Sequence, residues 1–359
     1  MSRPERPAVK LTTPADIVGC VPWLIGFHPE ESLVVVCLRG PRLRTGLTMR
    51  IDLPREQDEP ALAAQVAVRA RHDGARSVLL LCYTAAPDRD VPDGGAAVHE
   101  VLPRAALVDA LVGTLGERGI GCADAILVRA GRWHSYHCDI EDCCPRGGRA
   151  LPEQPTPATA RLAAEAAVSG RAPLPGRADL ERSVAGPVGL RGIVVEGLCE
   201  RVVAGVRAEA GADAQASQAR TLSLLAAALR SYEQGTPRLD DETAVRIVLG
   251  LHDKPTRDEV TTWVLDAPEE PLLALLLDLA RLTPDDVCAP VCTVLAWVAH
   301  ALGNGGLANV AVDRALAHQP GYTLAELVRD SLDRQVSPSE LRRVSEEIRA
   351  ELRRERPGA

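Results

Sequence analysis

Short, uninterrupted apolar runs alternate with stretches of helical spacing over roughly the first 140 residues, and beyond about residue 178 only the helical spacing persists. Ser32–Leu38 (SLVVVCL) has the continuous, β-branched character of a strand buried on both faces. Thr45–Leu53 alternates, and the Gly40-Pro41 signal between the two predicts a hairpin. Helical spacing over Ala61–His72 leads to a second buried strand, Arg76–Tyr83, and then to a Pro/Asp/Gly loop at 87–95. Val98–Leu115 reads as a helix that passes through Pro103, Ala123–Ala130 as a further strand, and Trp133–Cys138 as its hairpin partner after Gly131-Arg132. Upstream, Thr13-Pro14-Ala15-Asp16 has the marks of a helix start: a hydroxyl N-cap, proline in the first turn and an acid to complement the dipole. That helix is predicted to run to about Gly26 with a disturbance at Pro22. Interleaved strands and helices predict an α/β domain with a mixed, layered sheet over residues 1–145.

Six prolines and several glycines between Pro145 and Gly176 surround one Ala-rich helix at about 157–168, and predict a connector over 146–176. An all-helical domain is expected over 177–359, with helices across most of Ala178–Glu233 and then at Asp240–Leu251, Arg257–Leu265, Pro271–Arg281, Asp285–Leu302, Leu307–His318, Leu324–Gln335 and Ser339–Arg354. Thr283-Pro284-Asp285-Asp286 and Ser337-Pro338-Ser339-Glu340 each offer an N-cap, a proline and an acid at the third helical position. In the last helix Leu341, Val344, Ile348 and Leu352 make one apolar stripe, as a solvated surface helix would. Within Val291–Gln335 a helix, a Gly303-Asn304-Gly305-Gly306 turn and an alanine-studded second helix (Ala308, Ala311, Ala315, Ala317) precede Pro320 and a third helix. This resembles one tetratricopeptide-like helix pair, where three are needed for a solenoid.

Composition narrows the classes. The chain has 359 residues, 46% of them hydrophobic and 25% charged, an ordinary globular balance that supports two domains. With aromatics at 3%, Leu, Val and Ala must build the cores. A formal charge of −8 opposes a general nucleic-acid role. No stretch approaches the roughly 20 apolar residues of a membrane span, and the N-terminus lacks the apolar core of a signal peptide, so a cytoplasmic location with no membrane partner is expected. Ten cysteines are scattered along the chain, as suits buried thiols in a reducing compartment.

One segment concentrates chemistry. Residues 133–145 contain His134, His137, Cys138, Cys143 and Cys144 together with Asp139, Glu141 and Asp142. Soft ligands at C-x4-C spacing beside histidine are zinc-like. Against this, a strand over 133–138 would put His134, Tyr136 and Cys138 on one face and His137 on the other. Adjacent Cys143 and Cys144 are not expected to serve one small tetrahedral site easily, and a fourth ligand is missing. Structural thiols in a turn are the first reading, a metal site formed by Cys138, Cys143 or Cys144 and one of His134 and His137 the second, and reversible pairing of Cys138 with Cys143 or Cys144 the third. The flanking acids are expected to raise the thiol pKa values and work against a reactive thiolate.

Cys288 and Cys292, one helical turn apart, read as core thiols. His28, Glu30, Glu31 and Ser32 precede the first strand at its amino end, where ligands are seldom bound in open α/β sheets, and Asp52 and Asp88 are weak candidates near strand ends. Gly303–Ala308 fits G-x-G-x-x-A, but it lies between helices and is rejected as a dinucleotide fingerprint. No Walker A, H-E-x-x-H or G-x-S-x-G motif occurs.

Three stretches carry a resemblance: Leu11–Val36 (LTTPADIVGCVPWLIGFHPEESLVVV), the C-x4-C-C-P of Trp133–Pro145, and Trp297–Tyr322 (WVAHALGNGGLANVAVDRALAHQPGY). Together they resemble the actinobacterial family labelled domain of unknown function 4192, over nearly the whole chain. The resemblance implies a bacterial cytoplasmic protein pairing an α/β part with a helical part, and a family pattern in Cys138, Cys143 and Cys144. It supplies no activity or cofactor. Three functions therefore compete: an interaction or regulatory protein whose helical docking surface binds another protein, a metal or thiol-redox protein centred on Cys138, Cys143 and Cys144 with zinc as the cofactor, and an enzyme of unrecognised type with a pocket at the sheet edge near His28 or Asp52.

Overall fold

The structure, a computed structural model, describes residues 10–89, 101–145, 147–168 and 172–355. The chain divides into two compact units, Met1–Arg177 and Ala178–Ala359.

The first unit opens with helix α1, Pro14–Ile25. The Thr13 hydroxyl accepts from the Asp16 amide while the Asp16 carboxylate accepts from the Thr13 amide, a complete capping box. Gly26 ends the helix at φ 88°, a conformation that glycine adopts freely, and the helix continues through Pro22. Next come β1 (Ser32–Arg39), β2 (Arg44–Asp52), α2 (Glu59–His72), β3 (Ala75–Tyr83), α3 (Ala105–Gly116), β4 (Gly121–Arg129), β5 (Arg132–Ser135), β6 (Arg149–Ala150) and α4 (Pro157–Val168). The six strands form one mixed sheet in the order β2-β1-β3-β4-β5-β6, with β3 and β4 parallel and the other pairs antiparallel.

Strand β1 is buried on both faces because two cores meet on it. Leu33, Val35 and Cys37 pack with α2 and α3, while Val34, Val36 and Leu38 pack beneath Val18 and Val21 of α1. Each fully buried leucine or valine of this kind contributes about 1.5–3 kcal/mol. Helix α4 packs on α1, where Thr159 occupies the space that a Cβ on Gly19 would take.

Two predicted elements differ. The helix expected over Val98–Leu115 is interrupted: Val101 is helical, residues 102–104 turn with Arg104 at φ 64°, and the helix that follows starts at Ala105; proline disfavours helical geometry in its neighbour and lacks the amide a helix needs. Residues 98–100 of that prediction, and most of the 87–95 loop, lie outside the described residues. The strand expected over Trp133–Cys138 ends at Ser135.

The second unit is helical throughout its described residues: α5 (Arg177–Ser183, which spans the division), α6 (Gly189–Ala212), α7 (Ala214–Glu233), α8 (Asp241–Gly250), α9 (Lys254–Thr261), α10 (Glu269–Arg281), α11 (Ala289–Ala301), α12 (Gly305–His318), α13 (Thr323–Asp333) and α14 (Pro338–Glu355). Every residue of α11 is buried, so this helix is the centre of the bundle. Asn304 caps α12 through its side chain, which accepts from the Leu307 amide at 3.2 Å. Ser337 and Glu340 form the capping box predicted for α14. Thr283 does not cap a helix: its hydroxyl bonds back to Leu279 O at 2.6 Å, and a single 3-10 turn, Asp285–Val287, separates it from α11. No helix among the described residues is long and apolar enough to cross a membrane.

Candidate functional site

The chemically marked segment follows β5. Because that strand ends at Ser135, the chain leaves the sheet before Cys138, and the alternation expected to carry Cys138 with His134 and Tyr136 fails. Tyr136 joins the α2/α3 core and donates its hydroxyl proton to Pro103 O at 2.7 Å, whereas Cys138 and Cys144 lie against the opposite core beside Trp133.

Residues 139–144 fold back as a turn in which the Cys143 and Cys144 amides both donate to Ile140 O, at 2.9 and 2.6 Å. Two arginines fasten it. Arg149 of β6 donates to the carbonyls of Asp142 and Cys143, and Arg132 of β5 donates to those of Gly147 and Gly148. Gly148 has φ 67°, and the His134 ring fills the place a Cβ would need. These clamping residues were not singled out in the sequence; the Gly147-Gly148-Arg149 run after the cysteines was their one visible sign.

The result is that the Sγ atoms of Cys138, Cys143 and Cys144 lie within 4.8 Å of one another. The adjacent pair does not splay apart: Cys143 Sγ and Cys144 Sγ are 3.9 Å apart. Zinc–sulfur bonds of ~2.3 Å place neighbouring sulfurs of a tetrahedron about 3.8 Å apart. The vicinal pair therefore has the edge length of a thiolate metal site, contrary to the expectation from adjacency. Cys144 is buried, Cys138 half-buried and Cys143 exposed. A hydrogen bond from the Ile140 backbone, aided by the neighbouring thiols, holds Cys138 below the ordinary thiol range despite Asp139, and burial pushes Cys144 up to about 12. The expectation that the acids would raise every thiol here is corrected at Cys138, where a local backbone bond outweighs a solvated charge.

Neither histidine joins the three thiols. His134 is buried on β5, paired with Leu127, and its surroundings are Arg129, Asp88 and Arg132; burial holds its imidazole below the ordinary range. His137 is exposed near the Asp124 carboxylate. With β5 ending at Ser135, His134 stays in the sheet while His137 and the cysteines lie beyond the strand.

A second group collects at one end of the sheet. Ser32 pairs with Tyr83 and with Asp52, and Tyr83 with Val128. Since β1 runs antiparallel to β3, the amino end of β1 lies at the carboxyl ends of the parallel pair β3 and β4, where open sheets place ligands. The His28–Ser32 loop does enter the amino end of its own strand, as the sequence indicates, but that end coincides with the carboxyl ends of β3 and β4. Its acids are nonetheless engaged. Glu31 accepts from the Thr84 hydroxyl at 2.8 Å and the Ala85 amide at 2.7 Å, Asp52 lies 2.6 Å from Arg50, and Asp88 lies 2.7 Å from Arg129. His28 is exposed, with its amide bonded to Leu174 O. Two buried polar atoms among the described residues, Tyr83 Oη and His134 Nδ1, have no partner, whereas Arg50 Nη1 makes the ion pair with Asp52.

In the helical unit Cys288 and Cys292 are wholly buried, and the Arg314 guanidinium approaches Cys292 Sγ at 3.7 Å.

The family model described as domain of unknown function (DUF4192) matches residues 14–339. The chain belongs to that family. The match to DUF4192 spans the α/β unit with its thiol turn and nearly all of the helical unit. Comparison with curated proteins and with solved structures finds no match to either.

Proposed function

We propose that this DUF4192 protein binds a thiophilic metal ion, zinc in the first place, through Cys138, Cys143 and Cys144. The observation that carries the reading is the 3.9 Å separation of Cys143 Sγ and Cys144 Sγ within a trio spanning less than 4.8 Å. Thiolates are the ligands that select zinc and copper(I). The backbone bonds to Ile140 O and the two arginine clamps fix the turn before any ion arrives, which lowers the entropic cost of binding. Metal analysis and thiol counting on the full chain, purified anaerobically and loaded with zinc, test it. One equivalent of zinc and three protected thiols are expected, both lost in Cys138→Ser and in the surface variant Cys143→Ser. Zinc-free protein with three freely titrating thiols after loading would refute the reading.

The interaction reading ranks second and takes a narrower form. Helices α11 and α12 are joined by Leu302–Asn304 and pack through Ala308, Ala311 and Ala315, all buried, in keeping with a tetratricopeptide-like pair. Burial of the whole of α11 leaves the outer faces of α12 and α13 as the surface for a protein partner. An enzyme at the sheet edge is least favoured, because Glu31, Asp52 and Asp88 are each committed to an internal partner.

A further inference from the structure

Helix α6 (Gly189–Ala212) turns one face to the bundle, where Val195 and Val202 pack with Val245 and Leu249. Its opposite face is exposed, and toward the amino end that face is apolar. Val188, just before the helix, and Leu190, Ile193 and Val194 are 84, 84, 66 and 56% exposed. No other stretch of the described residues gathers so many large apolar side chains at the surface. Such a patch marks a surface that another protein covers. At spacings of three and four the same face continues through Gly197, Glu200, Arg201, Ala204, Ala208 and Gly211, all exposed except half-buried Gly197.

We infer that this face is the contact of a two-fold homodimer, in which α6 lies antiparallel against α6 of a second copy. The order of residues along it is self-complementary. In a two-fold contact residue i meets residue j wherever j meets i, and an axis between Glu200 and Arg201 sets Leu190 against Gly211, Ile193 against Ala208 and Gly197 against Ala204 of the second copy. Each large side chain then rests on a small one, so the helices can approach closely. At the centre the Glu200 carboxylate meets the Arg201 guanidinium of the second copy, twice over by symmetry. Neither residue has an opposite charge three or four positions away in its own helix, where such pairs form, and as neighbours they point about 100° apart. The charge pattern thus complements itself, which selects a second copy of this chain over an unrelated protein. From Leu190 to Gly211 the contact runs ~32 Å. It is independent of the metal reading.

Analytical ultracentrifugation of the full chain over a dilution series from about 100 to about 1 μM tests it. A reductant and a chelator are present, so that neither Cys143 nor a shared ion links two copies. A dimer in reversible exchange with monomer is expected. Arg201→Glu gathers acids of both copies at the axis and should weaken the dimer at least about tenfold, as should Glu200→Arg through its arginines. The double swap, Glu200→Arg with Arg201→Glu, restores opposite charges across the axis and should bring the dimer back. Ile193→Asp should leave monomer alone. All three positions are exposed, so circular dichroism should show unchanged helix content in every variant. Monomer at every concentration in the wild type, as when a different protein or the α/β unit covers this face, overturns the inference. So does a dimer that neither single reversal weakens, since the contact then lies elsewhere on the surface. A dimer weakened by both reversals and not recovered by the double swap overturns it too, because Glu200 and Arg201 would then not face each other across an axis.

Discussion

Each unit of this chain brings cysteines together, and the two groupings have opposite chemistry. In the helical unit Cys288 and Cys292 share a face one turn apart, are fully buried, and lie under a guanidinium. Their mutual bond and burial push Cys292 well above the ordinary thiol range. In the α/β unit three cysteines from one turn converge at the surface, with Cys143 exposed and Cys138 held down by the Ile140 backbone. Proximity is common to both. What separates a packing thiol from a ligand thiol is access together with a backbone that aims the sulfurs at a common point.

The largest effect that can break this comparison lies at Arg314. Its side chain is buried and donates to Val184 O, Ala280 O and Thr283 O at 2.6–2.7 Å and to Asp285 at 2.8 Å, so it is a partner to three carbonyls, of which Ala280 O also accepts from the Thr283 amide. Arg314→Ala is expected to destabilise the helical unit by about 3–5 kcal/mol, because it strips partners from buried polar groups while also opening space beside Cys292. Urea unfolding gives the number. Cys292 should then react with a thiol reagent in the folded state. A variant with wild-type stability and an unreactive Cys292 would show that the guanidinium is not what closes this cluster.

The same side-chain deletion in the two clusters comes next. Cys292→Ala removes a sulfur from a packed interior and should cost about 2 kcal/mol. Cys143→Ala removes an exposed one and should change the stability of metal-free protein by less than about 0.5 kcal/mol. Thermal unfolding of both in the presence of a chelator checks the contrast; equal losses would mean that the surface turn is part of the core after all.

Much of this architecture was readable in advance, and the failures have identifiable causes. Strand β1, α1 with its capping box, and the capping box of α14 were legible because each is specified by residues adjacent in sequence. The helix expected to run through Pro103 is broken at residues 102–104, because apolar periodicity does not register the one residue that interrupts it. Thr283-Pro284 looked like a cap, but its hydroxyl found the Leu279 carbonyl one turn back, a competition that spacing does not reveal. The cysteines were correctly marked as a cluster, yet their convergence involves Arg132 and Arg149, which act from strands β5 and β6 and whose one local sign is the Gly147-Gly148-Arg149 run. The location of the His28–Ser32 loop depended on β1 pairing antiparallel with β3, a non-local fact. Strand direction is invisible in a single strand.

The smallest effect concerns the two buried histidines, one in each unit. His300 has Nε2 2.8 Å from Val336 O, a carbonyl that can only accept, so Nε2 carries the proton in the neutral ring, and Nδ1 lies 3.3 Å from the Ser331 hydroxyl. Burial holds it below its ordinary value of 6.5, as it does His134. Unfolding frees such a ring to take up a proton, so the unfolded state binds more protons and stability falls as pH drops below 6.5 toward the folded-state value. Stability that is fully present at pH 7.5 should thus be partly lost at pH 5.5. His300→Gln, which retains a donor for Val336 O without a titrating group, should lose less between those two pH values in urea unfolding of the helical unit, while His134→Gln leaves that unit's slope unchanged. An identical pH loss in His300→Gln and wild type would place the titration at another group.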